Sequence, residues 1–153
     1  MNNIEKEPAT VDWGDGTVQT LNSPSETLVH TYPELERNET KYYDIVFSGD
    51  VSSVSTQPAS STQLMYRHIV SVTFGKNITE IKSDSFKNLS ELSSVYISSN
   101  IEKIESSSTA PHPFNKCIKL EKIHVNNQNK KYYSDRNDAA LIEKDNKLLI
   151  CGT

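Results

Sequence analysis

Cys117 and the histidines near it are the side chains best suited to chemistry in this sequence. A cysteine beside a histidine can form a nucleophilic pair in which the imidazole takes the thiol proton. His112 and His124 are the two candidate bases. The repeat pattern described below gives Cys117 a position that holds a leucine elsewhere, whereas His124 falls on the outward side of a strand. We therefore expect Cys117 to be a small buried apolar residue and predict no catalytic site.

Metal binding has one candidate in the sequence. Asp12 and Asp15 could contribute to a calcium site, but two carboxylates fall well short of the roughly six to eight oxygens that calcium takes. Asp15 lies between Gly14 and Gly16, where a turn-forming residue is expected. The four histidines lack metal-ligand spacing. We predict no metal site and no cofactor, with calcium at Asp12 and Asp15 kept as an alternative.

Composition excludes several other classes of function. The chain has 153 residues, a net charge of −4 and well-mixed charges, so no basic surface favours nucleic acid or anionic lipid. No apolar run approaches the length of about 18 residues needed to cross a membrane. The first eight residues lack the apolar core of a signal peptide. The protein is either cytosolic or has lost its leader, and we favour the second.

The residues that would position any site belong to a repeat in residues 69–125. The apolar–polar–apolar triplets Val72-Thr73-Phe74, Val95-Tyr96-Ile97 and Ile123-His124-Val125 are typical of half-buried strands. Their offsets are 95 − 72 = 23 and 123 − 95 = 28, and the five extra residues lie in a Ser- and Pro-rich loop at 106–113. Seven apolar positions recur in register, which chance should give less than about once in a thousand trials. The period predicts stacked units that share one core.

Residues 65–150 resemble a known family. The pattern Leu92-x-x-Val95-x-Ile97-x-x-Asn100-Ile101-x-x-Ile104 resembles a leucine-rich repeat, and Phe114-x-x-Cys117-x-x-Leu120 is similar to the BspA type. That type is found on bacterial cell-surface proteins and in some parasitic protists. The resemblance implies a leucine-rich-repeat solenoid in which Phe86 lies against Phe114 and Ile81 against Ile104. It also implies a hairpin formed by Ala140-Leu141-Ile142 and Leu148-Leu149-Ile150.

The N-terminal part resembles a second family. Trp13-Gly14-Asp15-Gly16 predicts a tight hairpin, because Asp-Gly turns require positive φ. We expect a further strand pair from His30-Thr31-Tyr32 and from residues 43–47. Together these motifs resemble a PKD-like β-sandwich of the immunoglobulin type, truncated in its first strand.

The predicted fold class is mostly β: a short leucine-rich-repeat solenoid preceded by a partial β-sandwich module. The predicted domains are residues 1–56 for the PKD-like module, 57–64 for a connector or cap, and 65–153 for the repeats with their C-terminal hairpin. Cys117 and Cys151 should stay unpaired, because two repeats of a solenoid would separate them.

The candidate binding site is the outward side of the stacked strands. Residues between two inward apolar positions should align from repeat to repeat, and such ladders are binding faces in solenoids. Tyr96 and His124 are the favoured contacts, since an exposed aromatic beside polar groups suits recognition. The predicted binding residues are Thr73, Tyr96, His124, Ser94, Lys122 and Asn126.

The predicted function is a non-catalytic binding module, located on the cell surface or secreted. The two resemblances imply adhesion to a host protein, a matrix component or a glycan outside the cell. The alternative is a structural spacer on the cell surface with no ligand of its own. An enzyme would require a convergent polar pocket, for which the sequence has no motif.

Overall fold

The structure is a computed structural model that describes residues 8–23, 26, 28–37, 39–49, 51, 53–54, 69–83, 85–106 and 112–152. The chain divides into two compact units, Met1–Val51 and Ser52–Thr153. Secondary structure in these ranges consists of eleven short strands and the turns that join them, with no helix. A mostly β chain, as predicted, is confirmed. The predicted connector at 57–64 lies outside the described residues.

A membrane-spanning helix of sufficient length and apolarity does not occur in the described ranges.

The first unit contains one three-stranded antiparallel sheet. Its strands are β1 (Thr10–Asp12), β2 (Val18–Thr20) and β3 (Val46–Ser48), in the order β2-β1-β3. The tight turn between β1 and β2 has positive φ at both glycines, 78° at Gly14 and 95° at Gly16. Only glycine adopts such angles without steric cost, so the Asp-Gly signal correctly located this hairpin.

The second strand pair predicted for this unit is wrong in its partner. His30-Thr31-Tyr32 does not form a strand, and β3 pairs with β1 instead. The tyrosines explain the difference, since Tyr32 stacks on Tyr43 with ring centroids 4.3 Å apart. The Tyr32 hydroxyl also donates to the Trp13 carbonyl at 3.0 Å. Side-chain packing therefore holds these segments together where strand pairing was expected.

The second unit begins with the predicted parallel stack. Strands β4 (Ser71–Thr73), β6 (Ser94–Ile97) and β8 (Lys122–Val125) form a parallel sheet in the order β4-β6-β8. Val72 pairs with Val95, and Val95 with Ile123, which confirms the predicted register. Successive side chains of a strand point to opposite sides. The apolar residues of each triplet therefore face the core, and the polar residue between them faces solvent.

A second small sheet lies further along each repeat. Strands β5 (Glu80–Ile81) and β7 (Lys103–Ile104) pair in parallel, with Ile81 opposite Ile104. The rings of Phe86 and Phe114 stack with centroids 6.0 Å apart. Both predicted inter-repeat contacts are therefore confirmed.

Successive repeats contribute to one continuous apolar interior. The buried apolar side chains of the repeats are Phe74, Ile78, Ile81, Phe86, Leu89, Leu92, Val95, Ile97, Ile101, Ile104, Phe114, Cys117, Leu120, Ile123 and Val125. One repeat alone could not shield this surface from water, so each depends on its neighbours.

The C-terminal hairpin is confirmed and has a third strand. Strands β10 (Ala140–Glu143) and β11 (Leu149–Gly152) pair antiparallel, with a bulge after Leu141. Strand β9 (Tyr132–Ser134), which the sequence analysis did not predict, pairs with β10. The amide of Ile123 donates to the carbonyl of Asp138 at 2.6 Å, which fixes this sheet to β8.

Both cysteines are buried, and neither forms a disulfide. Gly152, the residue after Cys151, lines the same groove as Cys117. Burial, and secondarily the neighbouring Cys117 thiol, raises the pKa of Cys151 to about 12. The chain reversal after β8 brings Cys151 back toward the third repeat.

Candidate binding face

The ladder face is the outward side of the parallel sheet, defined here by Thr73, Tyr96 and His124. Thr73 is the register partner of Tyr96, and Tyr96 is the partner of His124. Thr73 and His124 are exposed, and Tyr96 is half-buried. The alternation of β-strands places these residues on one side while Val95, Ile97 and Ile123 fill the core.

Tyr96 and His124 form the aromatic centre of this face. Their rings are stacked, with centroids 5.0 Å apart and planes inclined by 21°. The Asn126 side-chain amide donates to the Tyr96 hydroxyl at 3.1 Å. Stacking and this hydrogen bond restrict both aromatic side chains, so a ligand would meet a surface that loses little rotamer entropy on binding.

A carboxylate outside the predicted set anchors His124. The Nδ1 atom of His124 lies 3.1 Å from Oδ2 of Asp138, whose Oδ1 accepts a hydrogen bond from the Ser134 hydroxyl at 2.6 Å. The hydrogen bond from Ser134, followed by that with His124, lowers the pKa of Asp138 below its ordinary value. The Asp138 carboxylate accepts a hydrogen bond from His124 when the imidazole carries its hydrogen on Nδ1.

The remaining predicted residues flank the ladder. Ser94 and Lys122 are register partners on neighbouring strands, Lys122 exposed and Ser94 half-buried. Asn126 follows β8 and contacts Tyr96 as described. Ser98, on the same flank, is buried and donates to the Gly75 carbonyl at 3.2 Å. On that side of the ladder, the Ser98 hydroxyl is therefore engaged in a hydrogen bond between repeats.

Asp138 and Ser134 could not be found from sequence. They reach His124 because β9 and β10 fold back against β8, and no local spacing encodes that reversal. Asp138 has the left-handed φ of 56° that asparagine and aspartate tolerate better than most residues. This turn chemistry was the only available signal, and it pointed to a turn without indicating a contact.

The candidate calcium ligands are engaged in the N-terminal hairpin. Asp12 Oδ1 accepts the Gly14 amide at 2.9 Å, and Asp15 Oδ1 accepts the Thr17 amide at 3.0 Å. Asp15 Oδ2 lies 2.8 Å from Nε2 of His30. Burial opposes ionisation of Asp15, but the bonds to His30 and Thr17 outweigh it and its pKa is lowered. In the described part of the chain, no three His, Cys, Asp or Glu side chains form a metal cluster.

The candidate pair of Cys117 with His124 has unsuitable geometry. Cys117 is buried and its thiol donates to the Phe86 carbonyl at 3.1 Å, whereas His124 lies on the exposed ladder face. Burial raises the pKa of Cys117, which disfavours the nucleophilic thiolate. His112 lines the same groove as Cys117. The Cys117 thiol is therefore better suited to packing in the core, and to its hydrogen bond between repeats, than to nucleophilic catalysis.

The stacked parallel strands, the inward apolar ladder and the aligned outward residues define a leucine-rich-repeat protein. A family model for the BspA type leucine rich repeat region (6 copies) matches residues 38–136. The chain belongs to this BspA-type leucine-rich-repeat family. The match begins earlier than the predicted residue 65 and includes β3 of the first unit.

Neither the curated proteins nor the solved structures that were compared with the chain gave a match. Leucine-rich repeats in general are interaction modules whose stacked strands form extended binding surfaces.

Proposed function

We propose that this chain is a non-catalytic binding module that acts at the cell surface or after secretion and holds a protein ligand on its ladder face. The observation that carries the proposal is the stacked Tyr96–His124 pair, aligned by strand register and half-open to solvent. Aromatic side chains dominate binding energy at protein interfaces because they bury large areas with few rotatable bonds.

The polar surroundings of this pair favour a protein over a purely apolar ligand. Asp138 and His124 together offer an acceptor and a donor, Asn126 offers an amide, and Lys122 adds a positive charge. Such a mixture suits the side chains and backbone groups of another protein. The biological role that follows is adhesion to a host protein or a matrix component, and a glycan ligand is the competing outcome.

We also propose that the first unit is a truncated PKD-like module. Its support is the Asp-Gly hairpin and the ring series in which Trp13 stacks on His30 at 4.8 Å and Tyr32 on Tyr43 at 4.3 Å. An experimental structure of residues 1–56 in the whole chain would test it, and a second sheet packed on β1–β3 is the expected result.

The test of the binding proposal compares substitutions on the two strand faces. The double variant Tyr96→Ala, His124→Ala removes the aromatic centre, while Lys103→Ala on strand β7 removes an exposed side chain of the other sheet as a matched control. Binding is measured to a panel of purified matrix proteins and to a glycan array.

The proposal predicts that at least one matrix protein binds the unaltered chain and the Lys103→Ala variant equally. The double variant should bind it at least tenfold more weakly. Binding only to glycans would replace the protein ligand with a sugar. If the double variant bound as well as the unaltered chain, or if no probe bound at all, the spacer role would stand instead.

A further inference from the structure

Tyr96 and His124 each form a side-chain hydrogen bond within the chain, and the direction of that bond determines what each side chain can offer a ligand. The Asn126 side chain faces the Tyr96 hydroxyl, and the Asp138 carboxylate faces Nδ1 of His124. A hydroxyl has one hydrogen and two lone pairs, and a neutral imidazole has one donor nitrogen and one acceptor nitrogen. The group that each residue uses within the chain therefore leaves the other group for a ligand.

The orientation of the Asn126 side chain makes the Tyr96 hydroxyl a donor. Asn126 Oδ1 accepts a hydrogen bond from the Gln128 amide at 2.9 Å, so the atom that faces Tyr96 is Nδ2. Because Nδ2 can only donate, the Tyr96 oxygen accepts this bond at 3.1 Å. In the described ranges, the hydrogen of the Tyr96 hydroxyl has no acceptor. The hydroxyl can therefore donate a hydrogen bond to a ligand.

A series of hydrogen bonds determines which nitrogen of His124 carries the hydrogen. It begins at the Val125 amide, which donates to the Ser134 hydroxyl oxygen at 3.3 Å. The Ser134 hydroxyl in turn donates to Oδ1 of Asp138 at 2.6 Å. This bond, and then the bond with His124, lowers the pKa of Asp138. The Asp138 carboxylate is therefore ionised at neutral pH and can only accept hydrogen bonds.

The neutral imidazole of His124 consequently offers an acceptor. Its hydrogen lies on Nδ1, which is 3.1 Å from Oδ2 of Asp138, so Nε2 carries a lone pair and no hydrogen. Nε2 has no hydrogen-bond partner in the part of the chain that the structure describes, and the side chain is 50% exposed. The donor of His124 is used within the chain, and the group that remains for a ligand is the acceptor at Nε2.

Backbone contacts hold Asp138 beside His124. The Ile123 amide donates to the Asp138 carbonyl at 2.6 Å, and the Val125 amide donates to Ser134 at the other end of the same connection. Strand β8 therefore binds the segment between β9 and β10 on both sides of His124. These bonds lie within the chain, so they position the carboxylate before any ligand arrives.

We propose that the Tyr96–His124 pair binds an extended backbone segment of the protein ligand, whose carbonyl accepts from the Tyr96 hydroxyl and whose amide donates to Nε2 of His124, with Asp138 as the positioning residue. The stacked rings, with centroids 5.0 Å apart, place a donor and an acceptor side by side. The N–H and C=O of one residue in an extended strand point to the same side, which matches this pair. A carboxylate would instead place a second acceptor against Nε2. Such binding depends on the ladder-face function proposed above.

The hydrogen of His124 can be located in the chain without any ligand. Long-range proton–nitrogen magnetic resonance spectra at pH 8, where a free imidazole is neutral, distinguish a protonated ring nitrogen from an unprotonated one. We expect the hydrogen on Nδ1 in the unaltered chain and in Asp135→Asn, a matched control three residues from Asp138.

Asp138→Asn should move the hydrogen of His124 to Nε2. The asparagine Oδ1 can still accept from Ser134, and its Nδ2 then faces Nδ1 of His124 as a donor. Asparagine also tolerates the left-handed φ of 56° at this position, so the turn should be retained. Hydrogen on Nε2 in the unaltered chain, or on Nδ1 in the Asp138→Asn variant, would overturn the role of Asp138.

Binding is then measured to the matrix protein that the unaltered chain holds in the panel described above. Tyr96→Phe keeps the ring and removes the donor, so the affinity should fall about two- to tenfold, as for the loss of one hydrogen bond. Asp138→Asn directs a hydrogen on Nε2 at the ligand amide and should weaken binding at least about tenfold. Asp135→Asn and Tyr133→Phe, the latter at an exposed tyrosine of strand β9, should bind as the unaltered chain does.

These measurements separate the backbone contact from the binding function on which it depends. If Tyr96→Phe and Asp138→Asn bind unchanged while the double variant Tyr96→Ala, His124→Ala loses binding, the ladder face holds a ligand in another way and the backbone contact is overturned. If no matrix protein binds, the binding function fails and the backbone contact with it, while the spectra of the free chain decide the role of Asp138.

Discussion

Phe86 and Phe114 stack with their ring centroids 6.0 Å apart and their planes inclined by 28°. The residues are 114 − 86 = 28 positions apart in sequence, yet each occupies the same place in its repeat. Both rings are almost completely buried, Phe86 at 4% and Phe114 at 1% exposure. Their contact aligns the two turns that contain them in the same register as the strands.

Replacing Phe114 with alanine should be among the most destabilising changes in the repeats. It removes a buried ring and leaves a cavity against Phe86, which costs about 3–5 kcal/mol in other cores. Ile118→Ala is the control, because a side chain 81% exposed should change stability by no more than about 0.5 kcal/mol. Urea unfolding measures both, and similar midpoints for the two variants would show that the rings do not share a core.

Replacing Asn129 should destabilise the protein nearly as much as replacing Phe114, although Asn129 is polar. Its side chain is buried, and the side-chain Nδ2 donates hydrogen bonds to the Ser98 and Ile101 carbonyls. The side-chain Oδ1 accepts hydrogen bonds from the backbone amides of Lys131 and Tyr132.

Asn129→Ala would leave these four backbone groups without their partner, at a cost of at least about 2 kcal/mol. Asn127→Ala, at an exposed neighbouring position, is the control. Urea unfolding gives the stability, and hydrogen exchange should show the Tyr132 amide exchanging faster only in the Asn129 variant. Unchanged exchange there would mean that the amide is protected by other contacts.

The register of the repeats was predictable and the contacts of the C-terminal segment were not, for one physical reason. Apolar positions such as Val72, Val95 and Ile123 repeat because each must reach the same core, so periodicity carries their location. Asn129 and Asp138 act through a chain reversal that occurs once. A polar residue in an irregular stretch gives no sign of which buried carbonyl or histidine it will meet.

The N-terminal unit also has one feature that the sequence predicts and one that it does not. The hairpin at Gly14 was predictable because a backbone angle demanded it. The pairing of residues 43–47 was not, because aromatic packing of Tyr32 on Tyr43 competes with strand formation, and periodicity does not rank the two.

The pKa of Glu105 should depend on Lys103. The hydrogen bond from Lys103, at 2.9 Å, and then that from the Ser83 amide lower the pKa of Glu105 from 4.5 to about 2. A lowered folded-state pKa means that the contribution to stability is present above pH 4.5 and is lost as the pH falls toward 2.

Lys103→Met should return the Glu105 pKa most of the way to 4.5, as followed by carboxyl nuclear magnetic resonance titration. Lys119→Met, which removes an ion pair with Glu91 instead, is the control and should leave Glu105 unchanged. High salt should weaken the effect, since these groups face solvent. A Glu105 pKa unaffected by Lys103→Met would assign the shift to the Ser83 amide.

Gly14 and Gly16 should differ in their tolerance of alanine. Both have positive φ, so Ala is strained at either position. A Cβ at Gly14 would also lie 2.7 Å from the Asp44 carbonyl oxygen, whereas one at Gly16 would meet nothing within 4 Å. Gly14→Ala should therefore be less stable than Gly16→Ala by about 1–3 kcal/mol. The fluorescence of Trp13, the single tryptophan, reports unfolding of this unit, and equal stabilities would indicate that Asp44 moves away at little cost.

The two thiols should resist alkylation while the protein is folded. Burial raises the pKa of Cys151 to about 12 and also raises that of Cys117, so at pH 8 little thiolate is present on either. Since the thiolate is the reactive form, iodoacetamide should modify native protein at least tenfold more slowly than protein in urea. Mass spectrometry of timed samples measures the two rates and identifies the site. Phe114→Ala, which opens the core around Cys117, should speed modification of that thiol first. Native rates close to those in urea would show that the C-terminal hairpin opens readily.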